Sequence, residues 1–142
     1  MIGILDEALD IFIQLECHGG FSEIFNTLGA AYSAMAENEN TEDNLMKSIE
    51  YLKEAITLND CNEFPIYHAL SQYTLGNTYR FLSELYDKNT NLKKALEAYK
   101  ISSKVTSKYY YGLTWEEQTF DNRLYEISQE AIKELKEMLN KK

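Results

Sequence analysis

Thr27-Leu28-Gly29-Ala30-Ala31-Tyr32 returns 47 residues later as Thr74-Leu75-Gly76-Asn77-Thr78-Tyr79. Outward from these two hexapeptides the echo runs without a gap, from Thr27 to Leu58 against Thr74 to Val105. Ten of the 32 aligned positions are identical, where roughly two would arise by chance. A second cluster carries the same lag, Asn44 to Lys53 against Asn91 to Lys100, in the pattern NLxKxxExxK. Similarity at a fixed period means a stack of like units rather than one closed core, and such stacks commonly serve binding.

Each unit reads as two helices. The spacing predicts helices over about 2–16, 23–37, 41–58, 64–87, 89–104 and 114–140, six in all and mutually antiparallel because the connections are short. The first carries Ile4, Ala8, Ile11 and Leu15 on one stripe and stops at Gly19-Gly20. Ser22 and Thr41 stand where helix caps are favoured, and Pro65 suits a first helical turn because its missing N–H is not needed there. Leu75, Tyr79, Leu82 and Tyr86 recur at helical spacing. Thr114 and Glu117 have the spacing of a capping box for the final helix, whose stripe is Phe120, Leu124, Ile127, Ala131, Leu135 and Met138.

Composition bounds the function. One Pro and six Gly in 142 residues are too few for a turn-rich β protein, and 44% hydrophobic with 26% charged side chains is a globular balance. The net charge of -9 repels phosphate backbones and anionic headgroups, so neither nucleic acid nor a membrane is an expected partner. Asp6, Glu7 and Asp10 interrupt the apolar start, which therefore reads as a helix rather than a signal peptide. Two cysteines without such a signal read as reduced thiols in a cytoplasmic protein.

The two clusters resemble tetratricopeptide repeats, whose first helix bears LGxxY and whose second bears small-x3-aromatic-x2-small. Here Leu28, Gly29 and Tyr32 are followed by Ser48, Leu52 and Ala55, and Leu75, Gly76 and Tyr79 by Ala95, Tyr99 and Ser102. The resemblance implies an all-α fold of antiparallel helix hairpins forming a short right-handed superhelix, with a half repeat at 1–20, repeats at 21–63 and 64–108, and a capping helix at 113–141. Gly29 and Gly76, each costing about 1 kcal/mol against Ala in mid-helix, fit where a neighbouring helix approaches closely. Tyr32 and Tyr79 would fill the space between helices, with Ser48 and Ala95 as the small positions opposite. The period of 47, where the family uses 34, and Asn122-Arg123 in place of Leu-Gly in the last unit depart from the pattern. Helical repeats of the HEAT type have periods nearer 47 but do not explain LGxxY.

In such repeats the first helices line a concave groove. The resemblance carries this to Asn26, Ala30, Ser33 and Ala34 in one unit and to Tyr73, Asn77, Arg80 and Phe81 in the next, a surface for an extended peptide or a helix. Members that clasp a C-terminal carboxylate use Lys and Asn at such positions; here Asn77 and Arg80 stand there. The expected protein is a non-enzymatic adaptor without cofactor. The alternative is a structural subunit that self-assembles, as a homodimer for example, through the uncovered Ile4, Leu5, Ile11 and Phe12 of its leading half repeat.

Other constellations read as structural. Cys17, His18, Cys61 and His68 lack the paired spacing of a zinc site. Glu63, His68 and Ser71 lack an oxyanion donor. The acidic run from Glu37 to Asp43 lacks the glycine of a calcium loop and reads as a solvated turn. Tyr109-Tyr110-Tyr111 and Trp115 read as packing for the final helix.

Overall fold

The computed structural model describes residues 3, 7, 21–58, 65–111 and 123–141. Among these all regular structure is α-helix: α1 (Phe21–Met35), α2 (Thr41–Leu58), α3 (Pro65–Leu82), α4 (Lys88–Tyr111) and α5 (Arg123–Asn140). Each helix packs on the next, α1 also touches α3, and α3 touches α5. The architecture is therefore two helical hairpins and a further helix in one row. Of the helix expected over 2–16 only residues 3 and 7 are described, both helical, and the Thr114 capping box lies outside the described residues; the other five expected helices are on view.

The 47-residue echo is an echo of contacts. Leu28 and Leu75 are buried, as are Leu45 and Leu92. Thr27 and Thr74 each donate their hydroxyl to the carbonyl one turn back, at Glu23 and Leu70. Lys47 lies 5.3 Å from the centre of the Tyr32 ring, and Lys94 lies 5.5 Å from that of Tyr79. Most informative are the glycines. A Cβ on Gly29 would come within 2.5 Å of Leu52 Cγ, and one on Gly76 within 2.7 Å of the Tyr99 ring. Leu52 and Tyr99 are themselves equivalent positions and both are fully buried. Ser48 Oγ donates to the Gly29 carbonyl at 2.7 Å. The helices of each hairpin thus meet at backbone distance.

These contacts correct part of the expectation. The side chain lying on each glycine is Leu52 or Tyr99, one turn beyond Ser48 and Ala95. Tyr79 fills the interior, being 7% exposed, whereas Tyr32 is only half-buried and stacks on Tyr51 at 5.5 Å.

The inter-helix turns repeat as well. Asn40 and Asp87, 47 apart, both adopt left-handed backbone, with φ of 43° and 46°. Four residues on, the buried Asn44 and Asn91 side chains donate to the Glu39 and Tyr86 carbonyls, satisfying acceptors of the turn itself. This turn ends α3 at Leu82 rather than near Asp87, and it leaves Tyr86 exposed instead of extending the core stripe. Thr41, expected to cap α2, instead sends its hydroxyl back to the Ala36 carbonyl at 2.8 Å. The helix α4 runs to Tyr111, beyond the expected Lys104. Its Ser- and Thr-rich end has weak helix propensity, and packing against α5 outweighs that: Ser102 Oγ meets Ser128 Oγ at 3.0 Å, and Gln129 donates to Ser103 Oγ.

One apolar cluster runs through the row from Ala36 to Leu135 and includes Leu52, Leu75, Tyr79, Leu92, Tyr99 and Ile132. On α5 the expected stripe holds in its second half, with Ala131 and Leu135 buried and Met138 packed against the cluster, while Leu124 and Ile127 are half-buried.

Gly29→Ala and Gly76→Ala should each lower stability by about 1 to 3 kcal/mol, because overpacking outweighs the gain in helix propensity. Gly3 is helical, and a Cβ there would meet nothing within 4 Å. It is the control: Gly3→Ala should be neutral or stabilising by up to about 1 kcal/mol. Urea unfolding of the three variants measures this, and an unchanged Gly76→Ala protein would contradict the close contact.

Candidate functional site

The faces of α1 and α3 that carry the expected groove residues lie side by side. Ser71, fully buried on α3, donates to Asn26 Oδ1 on α1 at 3.1 Å, and this bond fixes the two helices in register. On α3 the helical period places Ile66, Leu70, Tyr73 and Asn77 in one stripe; on α1 the corresponding stripe holds Asn26, Ala30 and Ser33. Ala30 and Ala34 are exposed, and Ser33 is half-buried. Ile66 and Leu70 are 40% and 37% exposed, with Tyr67 beside them at 49%. The repeat pattern does not reach these three, because they lie ahead of the repeated hexapeptide: Leu70 stands where the first unit has Glu23, and the counterparts of Ile66 and Tyr67 lie outside the described residues.

The polar residues expected to face a ligand are occupied inside the protein. Asn77 is exposed, yet its Oδ1 accepts the Tyr99 hydroxyl. Arg80 pairs with Glu134 of α5 at 2.8 Å, and its side chain reaches Met138. Asn26 holds Ser71. Tyr73 lies tilted against the Tyr99 ring at 5.4 Å, and Phe81 packs on the core. Tyr73, Asn77, Arg80 and Phe81 are therefore brought together, around Tyr99 and the α5 contact. A cavity of about 440 Å³ opens beside them, lined by Arg80, Ser83, Glu84, Lys88 and Met138.

The electrostatics follow from this packing. Burial pushes the Tyr99 phenol up to about 12, against the pull of the nearby Arg80 charge, which lowers it. For Arg80 burial acts downward, but the hydrogen bond and charge of Glu134 override it and the guanidinium pKa rises. Tyr99 is thus neutral and Arg80 charged under ordinary conditions, and the cluster is a neutral donor with an internal ion pair.

No group of three His, Cys, Asp or Glu side chains is placed to hold a metal among the described residues. Of Cys17, His18, Cys61 and His68, His68 alone is described; it is half-buried on α3. Glu63 also lies outside the described residues, as do Gly112 and Trp115. Tyr109 is 40% exposed. No described helix is long and apolar enough to cross a membrane.

Charge is distributed unevenly, a signal that the whole-chain total hides. Of the 14 basic side chains only Lys47, Lys53 and Arg80 precede Lys88, against 15 of the 23 acidic ones. The helix α4 alone carries Lys88, Lys93, Lys94, Lys100, Lys104 and Lys108 with the single acid Glu97.

The raised Tyr99 pKa has a pH consequence. The folded protein holds the phenolic proton more tightly than the unfolded chain does. The stabilisation is complete below about pH 10 and is lost as pH climbs toward about 12, a change on the order of 2 to 3 kcal/mol. Urea unfolding at about pH 8 and about pH 11 should show roughly half of this fall in the parent protein and a flatter profile in Tyr99→Phe; identical pH dependence would rule out Tyr99 as its source.

No family model, curated protein or solved structure matches the chain.

Proposed function

We propose that the protein is a non-enzymatic adaptor of tetratricopeptide-like build that takes a peptide or a helix of a partner protein on the joint face of α1 and α3. The observation that carries this reading is the apolar exposure on that face. Ile66, Tyr67 and Leu70 are each at least 37% exposed on one turn of α3, and Ala30 and Ala34 of the neighbouring α1 are exposed as well. Contiguous exposed apolar side chains on a rigid helical scaffold are typical of interaction surfaces. The repeat supports the reading too, since the family it resembles uses its first helices in this way.

The anchoring roles differ from those expected of Asn77 and Arg80, whose side chains serve the fold. Ala30 and Leu70 are the positions to perturb. Ala30→Glu together with Leu70→Glu should lower capture of a specific partner from extracts of the source cells by about tenfold or more, with helicity and melting unchanged. Capture of the same proteins in the same yield by parent and variant would end the proposal.

A second reading, self-assembly, draws on the charge asymmetry: an acidic leading part and a basic trailing part favour head-to-tail contact between copies, which is a heterologous interface. Light scattering after size exclusion should then show mass that rises with concentration at low salt and falls as salt screens the contact. A monomer of constant mass across that range would exclude it.

A further inference from the structure

A second cavity, of about 370 Å³, lies between α4 and α5 on helices that the α1–α3 face does not use. Lys100 and Lys104, one turn apart on α4, border it with Lys136 of α5 opposite, and Ser103, Ser107 and Gln129 complete the polar wall. Three ammonium groups around one cavity repel one another, and like charges one turn apart weaken a helix. The protein does little to relieve this. Lys104 and Lys136 have no ion-pair partner among the described residues, and Lys100 has only Glu97, at 3.8 Å. The wall is also rich in hydrogen-bond donors. Ser103 is 5% exposed and accepts the Gln129 amide, while its own hydroxyl proton has no described acceptor.

We infer that this cleft binds a phosphate monoester, with Lys100, Lys104 and Lys136 supplying charge and Ser103 and Ser107 supplying hydroxyl donors. Tetrahedral oxyanions suit convergent ammonium and hydroxyl donors because each oxygen accepts several charge-assisted bonds. The volume accommodates the phosphoryl group with the side chain that bears it. An extended polyanion is disfavoured: the chain carries a net charge of -9, with 15 acidic side chains ahead of Lys88, so a nucleic acid or an anionic membrane reaching past α4 and α5 would meet a repelling surface. A single localised dianion meets only the cleft. The phosphoamino acid of a short protein segment has this chemistry, and free phosphate shares it. The cleft is independent of the α1–α3 face, so phosphate binding stands or falls without partner capture there.

The test is titration of the full chain with inorganic phosphate and with a short peptide of one phosphoserine flanked by glycines, followed by amide chemical shifts. Both should bind saturably, with shifts concentrated in residues 100–107 and 125–136. Lys104→Gln with Lys136→Gln should weaken each by roughly tenfold or more, whereas Lys53→Gln on α2 should change nothing. Removing mutually repelling charges leaves the variant at least as stable as the parent, which thermal melting checks. Tighter binding of the phosphopeptide than of phosphate supports a protein-borne ligand; equal binding supports the free anion in the same cleft. Absence of saturable binding by both probes, or equal binding to the Lys104/Lys136 double variant, overturns the inference.

Discussion

Everything in this molecule is arranged around two places where helices touch without room for a methyl group. At Gly29 and Gly76 the backbone of one helix lies against the side chain of the next, Leu52 in one hairpin and Tyr99 in the other. A mid-helix glycine is unfavourable by itself, so the contact must return more than it costs. It does so by letting Leu52 and Tyr99 disappear entirely from solvent, each joining the cluster that runs from the end of α1 to α5. At the first of these contacts Ser48 bonds to the Gly29 carbonyl, and its oxygen lies 3.1 Å from Thr78 Oγ1, whose proton can turn between Ser48 and the Thr74 carbonyl. One small-residue contact thus links hairpin to hairpin.

The close approach places a demand on the turns. Two helices pressed together must reverse within a few residues, and both hairpins do so identically: a left-handed residue at Asn40 or Asp87, then a buried asparagine that returns its amide to the turn carbonyl. Asn and Asp tolerate left-handed backbone better than other non-glycine residues. That explains why the position keeps this chemistry although its identity changes. Asn44 and Asn91 are the same residue in both units because a buried side chain with a fixed backbone partner has few substitutes.

Much of this is legible in the residues. The repeat specifies the helix pairs, and α2 has the expected bounds, because fixed-lag identity records contacts rather than propensity. What escapes is offset along the axis. Spacing says which face Ser48 and Leu52 share, but not which of them lies level with Gly29 once the helices run antiparallel, so spacing alone assigns Leu52 and Tyr99 no glycine contact. The ends of α3 and α4 escape for opposite reasons. A helical stripe through Tyr86 overstates the first, and the low propensity of residues 105–111 understates the second, since the Ser102–Ser128 and Ser103–Gln129 contacts belong to tertiary structure. On the α1–α3 face, Ile66, Tyr67 and Leu70 escape because they lie ahead of the repeated hexapeptide, where the echo has ended: Leu70 stands opposite Glu23, an unlike residue, and the counterparts of Ile66 and Tyr67 lie outside the described residues.

The differences between the units are coupled, and this narrows where function can reside. Replacing a leucine by a tyrosine at the glycine contact, Leu52 against Tyr99, adds a hydroxyl that needs an acceptor in a largely apolar setting. Asn77, standing where the first unit has Ala30, supplies it. Arg80, where the first unit has Ser33, sits close enough to lower the phenol's pKa while binding Glu134 of α5. These substitutions answer one another, and their novelty relative to the first unit is a consequence of packing Tyr99 and docking α5. Once they are assigned to the fold, the polar residues that made the groove look specific no longer stand for ligand contacts. Among the features that packing does not account for are the exposed apolar turn at Ile66, Tyr67 and Leu70 and the unrelieved lysines of α4 and α5. Exposure of the first and mutual repulsion of the second both work against the isolated protein, and each is relieved by a partner of complementary chemistry.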